Sequence, residues 1–268
     1  MTNVIALELR RLTSRRSTGL VALATVVGVV LFGFVLLGAI ASLVETDAGM
    51  DASTRSEIST RVAQLAPQHL PTILADVTVQ LAPSLGLLAG TIVASADLRL
   101  GLIRLFVAGG ISRTSLLAGK HVVAGCLACG LALVSLVTAG ACSLVAAAGS
   151  PWTAPATASV LAVLGVVVVV WCTFAAAGLA LTVAARSGVA GFVAAVAVFV
   201  TGGGLAAAAS ADGWVGTAFA LLPTGLAETA VRAAAAGTGA WLPVLGLCVW
   251  MAGAVAASLA LGRRMSLR

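Results

Sequence analysis

Few side chains in this 268-residue chain are equipped for chemistry, and their spacing narrows what they can do. Five cysteines, Cys126, Cys129, Cys142, Cys172 and Cys248, all lie in long apolar runs. Cys126 and Cys129 have C-x-x-C spacing, but no second ligand pair accompanies them, so they read as small apolar residues rather than redox or metal groups. The two histidines, His69 and His121, are far apart and offer no metal pair. No H-E-x-x-H, no G-x-S-x-G and no carboxylate pair inside an apolar run is present. Gly119-Lys120 has the look of a phosphate-loop ending, yet Thr114 stands where that loop needs glycine and His121 where it needs Ser or Thr. The chain is expected to be no enzyme and to hold no catalytic residue, metal or cofactor of its own. Any ATP it uses must be bound by another subunit.

The densest mixture of functional types is the segment Asp97–Lys120. It sets Asp97, Arg99 and Arg104 among Leu102, Leu105 and Phe106, then breaks at Gly109-Gly110 and places Ser112 to cap the next helix, which opens with Arg113. A short helix carrying Leu102, Leu105 and Phe106 suits the groove of a partner protein; the same composition also suits a helix lying on lipid. A second cluster falls in 210–238, where Pro223, Gly225 and Gly237 interrupt an apolar run that carries Glu228 and Arg232. These two charges are four apart and would pair on a helix. The segment reads as short outer or re-entrant helices, tolerated at membrane depth only where protein or water meets the backbone. A third helix is expected in 45–76. There Thr54-Arg55-Ser56-Glu57 has capping-box spacing ahead of Ile58, Val62 and Leu65, and Pro67 and Pro71 end the element.

The elements that must carry these groups are membrane spans. Val122–Ala185 runs 64 residues without Asp, Glu, Lys or Arg, and Leu20–Val44, Val77–Ala96, Ser187–Ala211 and Ala233–Gly262 are equally bare. A soluble helix needs a polar face, whereas a hydrocarbon core about 30 Å thick needs roughly 20 apolar residues per helix. The 64-residue run is long enough for two spans, split at Gly149-Ser150-Pro151-Trp152-Thr153-Ala154-Pro155. Composition agrees: 60% hydrophobic and 9% charged, against about 25% charged for an ordinary globular domain. We expect one all-α integral membrane domain, 1–268, with six transmembrane helices at 20–44, 77–96, 115–148, 156–185, 187–209 and 239–262. An amphipathic elbow helix (1–17), an outer loop (45–76), an inner loop (97–114) and the outer region 210–238 connect or flank them. Leu20–Val44 is 25 residues long, too long for the 7–15-residue core of a signal peptide, so it is expected to remain as a span.

Charge sets the sidedness. If both termini are cytoplasmic, Arg10, Arg11, Arg15, Arg16, Arg99, Arg104, Arg113, Lys120, Arg186, Arg263, Arg264 and Arg268 lie inside, and only Arg55, Arg61 and Arg232 lie outside. Twelve against three is the bias that orients membrane proteins. The formal charge of +6 is then inner-leaflet bias, with membrane lipid as its partner and no nucleic acid. No expected span carries an ionisable residue at its midplane, which argues against a proton-driven carrier. A sodium site built from carbonyls and hydroxyls would escape that test.

The order Asp97, Gly101, Leu102–Phe106, Gly110, Ser112-Arg113, Lys120 resembles the permease subunits of ABC-2-type transporters. That family has an acidic residue, usually Glu, at the end of the second span, then a Gly-Thr pair, a leucine-rich helix, and Ser-Arg before a Lys. Asp97 replaces the Glu here, and Leu102 stands where Thr is usual. The resemblance extends to the layout, with a basic elbow (Glu8–Arg16), six spans and Leu222-Pro223 before the last span. It implies a dimer of two permease chains, alike or different, in a bacterial plasma membrane, with Mg-ATP bound on a separate ABC ATP-binding subunit. It also implies that the 97–113 loop, with Asp97, Gly101, Arg104, Leu105, Phe106, Gly110, Ser112 and Arg113, is the coupling helix. The substrate path would be lined by spans one, two and five, whose Thr25, Ser84, Thr91 and Thr201 suit an apolar or amphiphilic cargo. Gly86 and Gly90, four apart in span two, permit close helix approach. Two other readings stay open: a membrane scaffold that docks a soluble partner, and a sodium-coupled carrier.

Overall fold

The computed structural model describes residues 6, 9, 10, 12, 16–46, 51–100, 110, 112–148, 151, 153–209 and 213–264. Among these residues every regular element is helical. We label them α1 (Arg16–Val30), α2 (Leu36–Thr46), α3 (Ala52–Ala63), α4 (Leu70–Leu100), α5 (Arg113–Ala146), α6 (Thr157–Ala185), α7 (Gly188–Ala209), α8 (Trp214–Ala220), α9 (Pro223–Ala235) and α10 (Trp241–Arg264). A π-helical turn, Leu31–Val35, joins α1 to α2 without a break. Five stretches are long and apolar enough to cross a membrane: Arg16–Leu43, Pro67–Ser95, Arg113–Ala146, Thr157–Ala185 and Trp241–Arg263. A shorter apolar stretch, Gly188–Gly202, lies in the 22-residue α7. Most of the expected elbow helix lies outside the described residues.

Two local expectations fail. The helix in the first connection begins at Ala52 with Asp51 at its N-cap, and no side chain caps it, so Thr54 and Glu57 form no capping box. It also ends at Ala63, before either proline. Pro67 opens a single 3₁₀ turn, and Pro71 is the second residue of α4. Proline lacks the N–H that a helix start leaves unbonded anyway, so both residues start elements rather than stop one. As a result α4 begins seven residues ahead of the expected span and runs 31 residues.

The bundle is built around α4 and α6, its most extensively packed pair. Glycine makes this possible. A Cβ at Gly90 would strike the Ala175 carbonyl, and one at Gly178 would strike the Leu87 carbonyl, while Gly86 sits under Phe174. Gly86-x-x-x-Gly90 therefore brings two backbones together, the arrangement that small residues allow inside membranes. Around this crossing the buried side chains Trp171, Leu74, Leu131 and Leu179 fill the core.

Contacts across the bundle sort the helix ends into two sets. At one end Gly188 meets Ser95, Gly262 meets Leu117, and the Thr91 and Thr182 hydroxyls lie 3.2 Å apart. At the other, Gly33 meets Val77 and Gly140 meets Leu70. The first end carries Arg16, Arg113, Arg186 and Arg263, and the second carries Asp51, Glu57, Asp76 and Glu228 with Arg55, Arg61 and Arg232.

Candidate functional site

Three cavities line up along one face of α4, the middle one between α1 and α7. The middle one, about 330 Å³, is an apolar groove bounded by Val27, Gly28, Leu31 and Phe32 of the α1 side, Leu81, Ser84, Leu85 and Leu88 of α4, and Phe192, Ala195, Val196 and Phe199 of α7. Its hydroxyl, on Ser84, donates to the Leu81 carbonyl at 3.1 Å. The same inward turn recurs nearby: Thr25 donates to the Val21 carbonyl at 2.9 Å, Thr91 to Leu87 at 2.8 Å and Thr201 to Ala197 at 2.7 Å. Hydroxyls bonded back onto their own helix leave methyl and methylene surface facing outward. Of the four hydroxyl residues expected on the path, Ser84 lines this groove and Thr91 the cavity below it. Thr25 is wholly buried, and Thr201 is exposed beside the groove without lining it.

At the Asp76 end the wall turns polar. A cavity of about 240 Å³ is lined by Arg61, Gln64, Thr72, Asp76, Gln80 and Arg232 together with Phe32, Leu65 and Ile73. Glu228 accepts from Arg232 Nε at 3.1 Å, the i,i+4 pair that the spacing predicts, and Asp76 stands 3.9 Å from the same guanidinium. Arg61 adds a second positive charge close enough to act on Asp76. Pro83, inside α4, lines a smaller neighbouring cavity with Val79, Gln80, Thr224 and Glu228. The Pro83 nitrogen carries no proton and cannot donate to the Val79 carbonyl one turn back, which leaves an acceptor at this polar end. Phe32 and Phe199 meet edge to face, with centroids 5.8 Å apart and planes at 75°, across the top of the apolar groove.

Two short helices hold the polar end in place. Leu222 is extended, Pro223 starts α9, and Gly225 packs directly on the Phe219 carbonyl of α8. A Cβ at Gly225 would meet that oxygen at 2.7 Å, so this glycine sets how tightly α8 folds onto α9. Trp250 of α10 donates its indole N–H to the Leu221 carbonyl at 3.1 Å and ties the turn to the bundle. Ala227, Ala230, Val231 and Ala234 are buried, which turns Glu228 and Arg232 toward the cavities.

At the opposite end a cavity of about 700 Å³ is lined by Leu88, Thr91, Ile92, Ser95, Arg186, Ser187, Gly188, Val189 and Phe192. Arg186 ends α6 in the left-handed region (φ 52°). Ser187 Oγ then accepts from the Val189 amide at 3.2 Å, and α7 begins.

The 97–113 loop is described only at its edges. Gly101, Arg104, Leu105 and Phe106 lie outside the described residues, as does the Asp97 side chain. Gly110 takes the left-handed conformation (φ 83°), and Ser112 Oγ accepts from the Ser115 amide at 3.1 Å, capping α5 at Arg113. Near this cap lies a contact that the sequence reading did not foresee. Lys120 is a fully buried residue of α5, and its ammonium donates to the Val93 carbonyl of α4 at 3.1 Å, one turn before Asp97. Its signal was the position alone, eight residues into an apolar helix. His121 is also structural: its Nε2 is 2.6 Å from Ser258 Oγ. Because that hydroxyl spends its proton on the Val255 carbonyl at 2.8 Å, it accepts, and His121 is the Nε2–H tautomer.

The cysteines are free thiols, with Cys126 and Cys248 exposed on the chain's surface. Cys172 of α6 sits beside Cys129 and Cys126 of α5. Among the described residues no group of three His, Cys, Asp or Glu side chains is placed to hold a metal ion. No protein-family model and no curated protein matches the chain.

Proposed function

We propose that this chain is the six-span permease subunit of an ABC-2-type exporter in a bacterial plasma membrane, with both termini cytoplasmic. It moves an apolar or amphiphilic substrate and draws energy from a separate ATP-binding subunit that holds Mg-ATP. The observation that carries this reading is the run of three cavities along one face of α4. From Asp76 to Ser95 is 19 residues, about 28 Å of helix, close to the roughly 30 Å of a hydrocarbon core. A face that is polar at both ends and apolar between suits an amphiphile that crosses lengthwise. The span added to the five long apolar helices is α7, fifth in chain order, whose backbone is helical to Ala209. Pairing with a second permease chain would enclose the open side of the groove between α1 and α7.

On this reading α8 and α9 re-enter the outer leaflet, and the 97–113 loop docks on the ATPase. The buried Lys120 fixes the end of α4 to α5, so force on that loop reaches both helices at their base. The test is at the loop. Truncating a buried apolar anchor at an interface commonly costs about 2 kcal/mol or more. Leu105→Ala combined with Phe106→Ala is expected to release the co-purifying ATPase and stop export, with membrane insertion intact. Normal recruitment and export by that double variant would refute the assignment.

A further inference from the structure

The charges at the ends of the groove point to the kind of substrate. The outer side, on the proposed orientation, holds three basic residues in all, Arg55, Arg61 and Arg232. Basic residues are disfavoured there, yet two of the three line the polar cavity at the head of the groove. With Asp76 its walls carry two positive charges and one negative, and Glu228, paired with Arg232 from the adjoining cavity, supplies a second negative charge. The charged residue of the opposite mouth is Arg186, again positive. The groove between them is uncharged. A cationic head group would have to compete with Arg61 and Arg232 for the carboxylates at the outer end and would meet Arg186 at the other, and a neutral one would leave the spare guanidinium donors unused.

We infer that the α1/α4/α7 groove binds an amphiphile with a phosphate-bearing head group, its phosphate between Arg61 and Arg232 and its chain along Ser84 and Leu88. Arg232 can do this while paired. Only its Nε donates to Glu228, and its Nη2 stands 3.9 Å from Asp76, outside hydrogen-bonding distance, whereas a guanidinium has five N–H donors. Two guanidinium forks are the side chains best matched to phosphate oxygens. Asp76, Gln64 and Gln80 then remain for an amine or hydroxyl on the same head group, which favours a zwitterionic or polyol phosphate over a bare one. The Phe32–Phe199 pair marks where the chain region ends and the head-group region begins, since Phe32 lines both cavities. This inference rests on the permease reading for its orientation.

The purified full chain, without any ATPase, tests it. Displacement of a fluorescent alkyl phosphate is measured with four competitors: the unlabelled alkyl phosphate, an alkyl trimethylammonium and an alkyl maltoside of the same chain length, and inorganic phosphate. The alkyl phosphate is expected to compete at least tenfold better than either amphiphile, and inorganic phosphate hardly at all. Arg61→Gln should reduce that preference severalfold, and Arg61→Gln with Arg232→Gln should abolish it, with alkyl maltoside binding unchanged as the sign of an intact fold. If the double variant does not fold, Arg61→Gln decides alone. Equal competition by the three amphiphiles would show an ordinary lipid-facing surface, and a preference that survives both substitutions would place the phosphate elsewhere. Competition by inorganic phosphate equal to that of the alkyl phosphate would show an anion site without a chain groove. Each of these overturns the inference and leaves the ATPase-docking result standing, so the two readings fail separately.

Discussion

Gly90→Ala adds one methyl group and should be among the most damaging single substitutions in the chain. The new Cβ would strike the Ala175 carbonyl oxygen and lie 2.7 Å from the Leu179 amide nitrogen and 2.8 Å from the Ala175 carbonyl carbon. Carbon contacts are comfortable at about 3.5–4.0 Å, so the helices must part by about 1 Å. Every obstacle is helix backbone, which cannot rotate away as a side chain would. Over-packing costs about 1–3 kcal/mol, and an unyielding wall puts this case at the upper end. A loss of about 3 kcal/mol is roughly 150-fold in the folding equilibrium. Gly130→Ala is the control, since nothing lies within 4 Å of a Cβ there, and it should stay within about 0.5 kcal/mol of wild type. Unfolding by titrated SDS in mixed micelles, followed by circular dichroism, measures both. Gly178→Ala meets the Leu87 backbone from the other side, and one separation relieves both clashes. The double variant should therefore lose clearly less than the sum of the singles. Equal stability of Gly90→Ala and Gly130→Ala would refute backbone contact as the basis of this crossing.

Three further outcomes are expected. In a background without the native cysteines, a cysteine at Ser56 should react with an impermeant reagent from outside and one at Ser187 only from inside; reversed labelling would overturn the six-span orientation. Ser258→Ala removes the acceptor for His121 Nε2–H and should lower stability by about 1–3 kcal/mol, read from the same SDS titration; an unchanged midpoint would mean that the ring finds another partner. Asp97→Ala should impair export without loss of membrane insertion, because a carboxylate at the foot of a span is costly unless it pairs; export at the normal rate would show that Asp97 has no part in coupling.

What the sequence shows and hides here follows from which interactions are local. Ser112 is legible because a cap needs only a hydroxyl three residues before an amide, and Glu228–Arg232 because i,i+4 spacing suffices on any helix. Thr54–Glu57 shows the limit of such patterns. The spacing is right, but the helix starts three residues earlier, and Asp51 takes the cap position without making the cap bond. Gly86 and Gly90 are visible as a motif, yet only the position of Ala175 and Leu179 on another helix gives them their role. Lys120 is legible as a charge near the inner end of its helix, but its partner is hidden for the same reason. A lysine near a helix start shows which end it lies at, and only the fold shows that the Val93 carbonyl, 27 residues back, accepts from it. The cavity at Asp76 was the least legible feature, since it gathers Arg61 of α3, Asp76 and Gln80 of α4, and Arg232 of α9.

These interactions also divide the bundle by stiffness. The groove floor is α4 on α6, where three glycines bring backbone against backbone and no side-chain rotation can loosen the fit. The walls are different. Across the groove Phe32 and Phe199 meet edge to face, a contact worth about 0.5–1.5 kcal/mol beyond its buried area. The α1 wall also carries the π-helical turn Leu31–Val35 at that point, and such turns are local departures from α-helical bonding that recur at functional sites. Breaking an aromatic pair costs far less than parting a glycine-lined crossing, and since Gly188 and Gly191 hold α7 close against Ser95, Thr91 and Thr182, parting the α1 wall from α7 is the less costly way to open the groove. Phe199→Ala should therefore ease access to the groove without the loss of stability expected for Gly90→Ala. The residues that hold the fold and those that close the groove would then be separable by mutation.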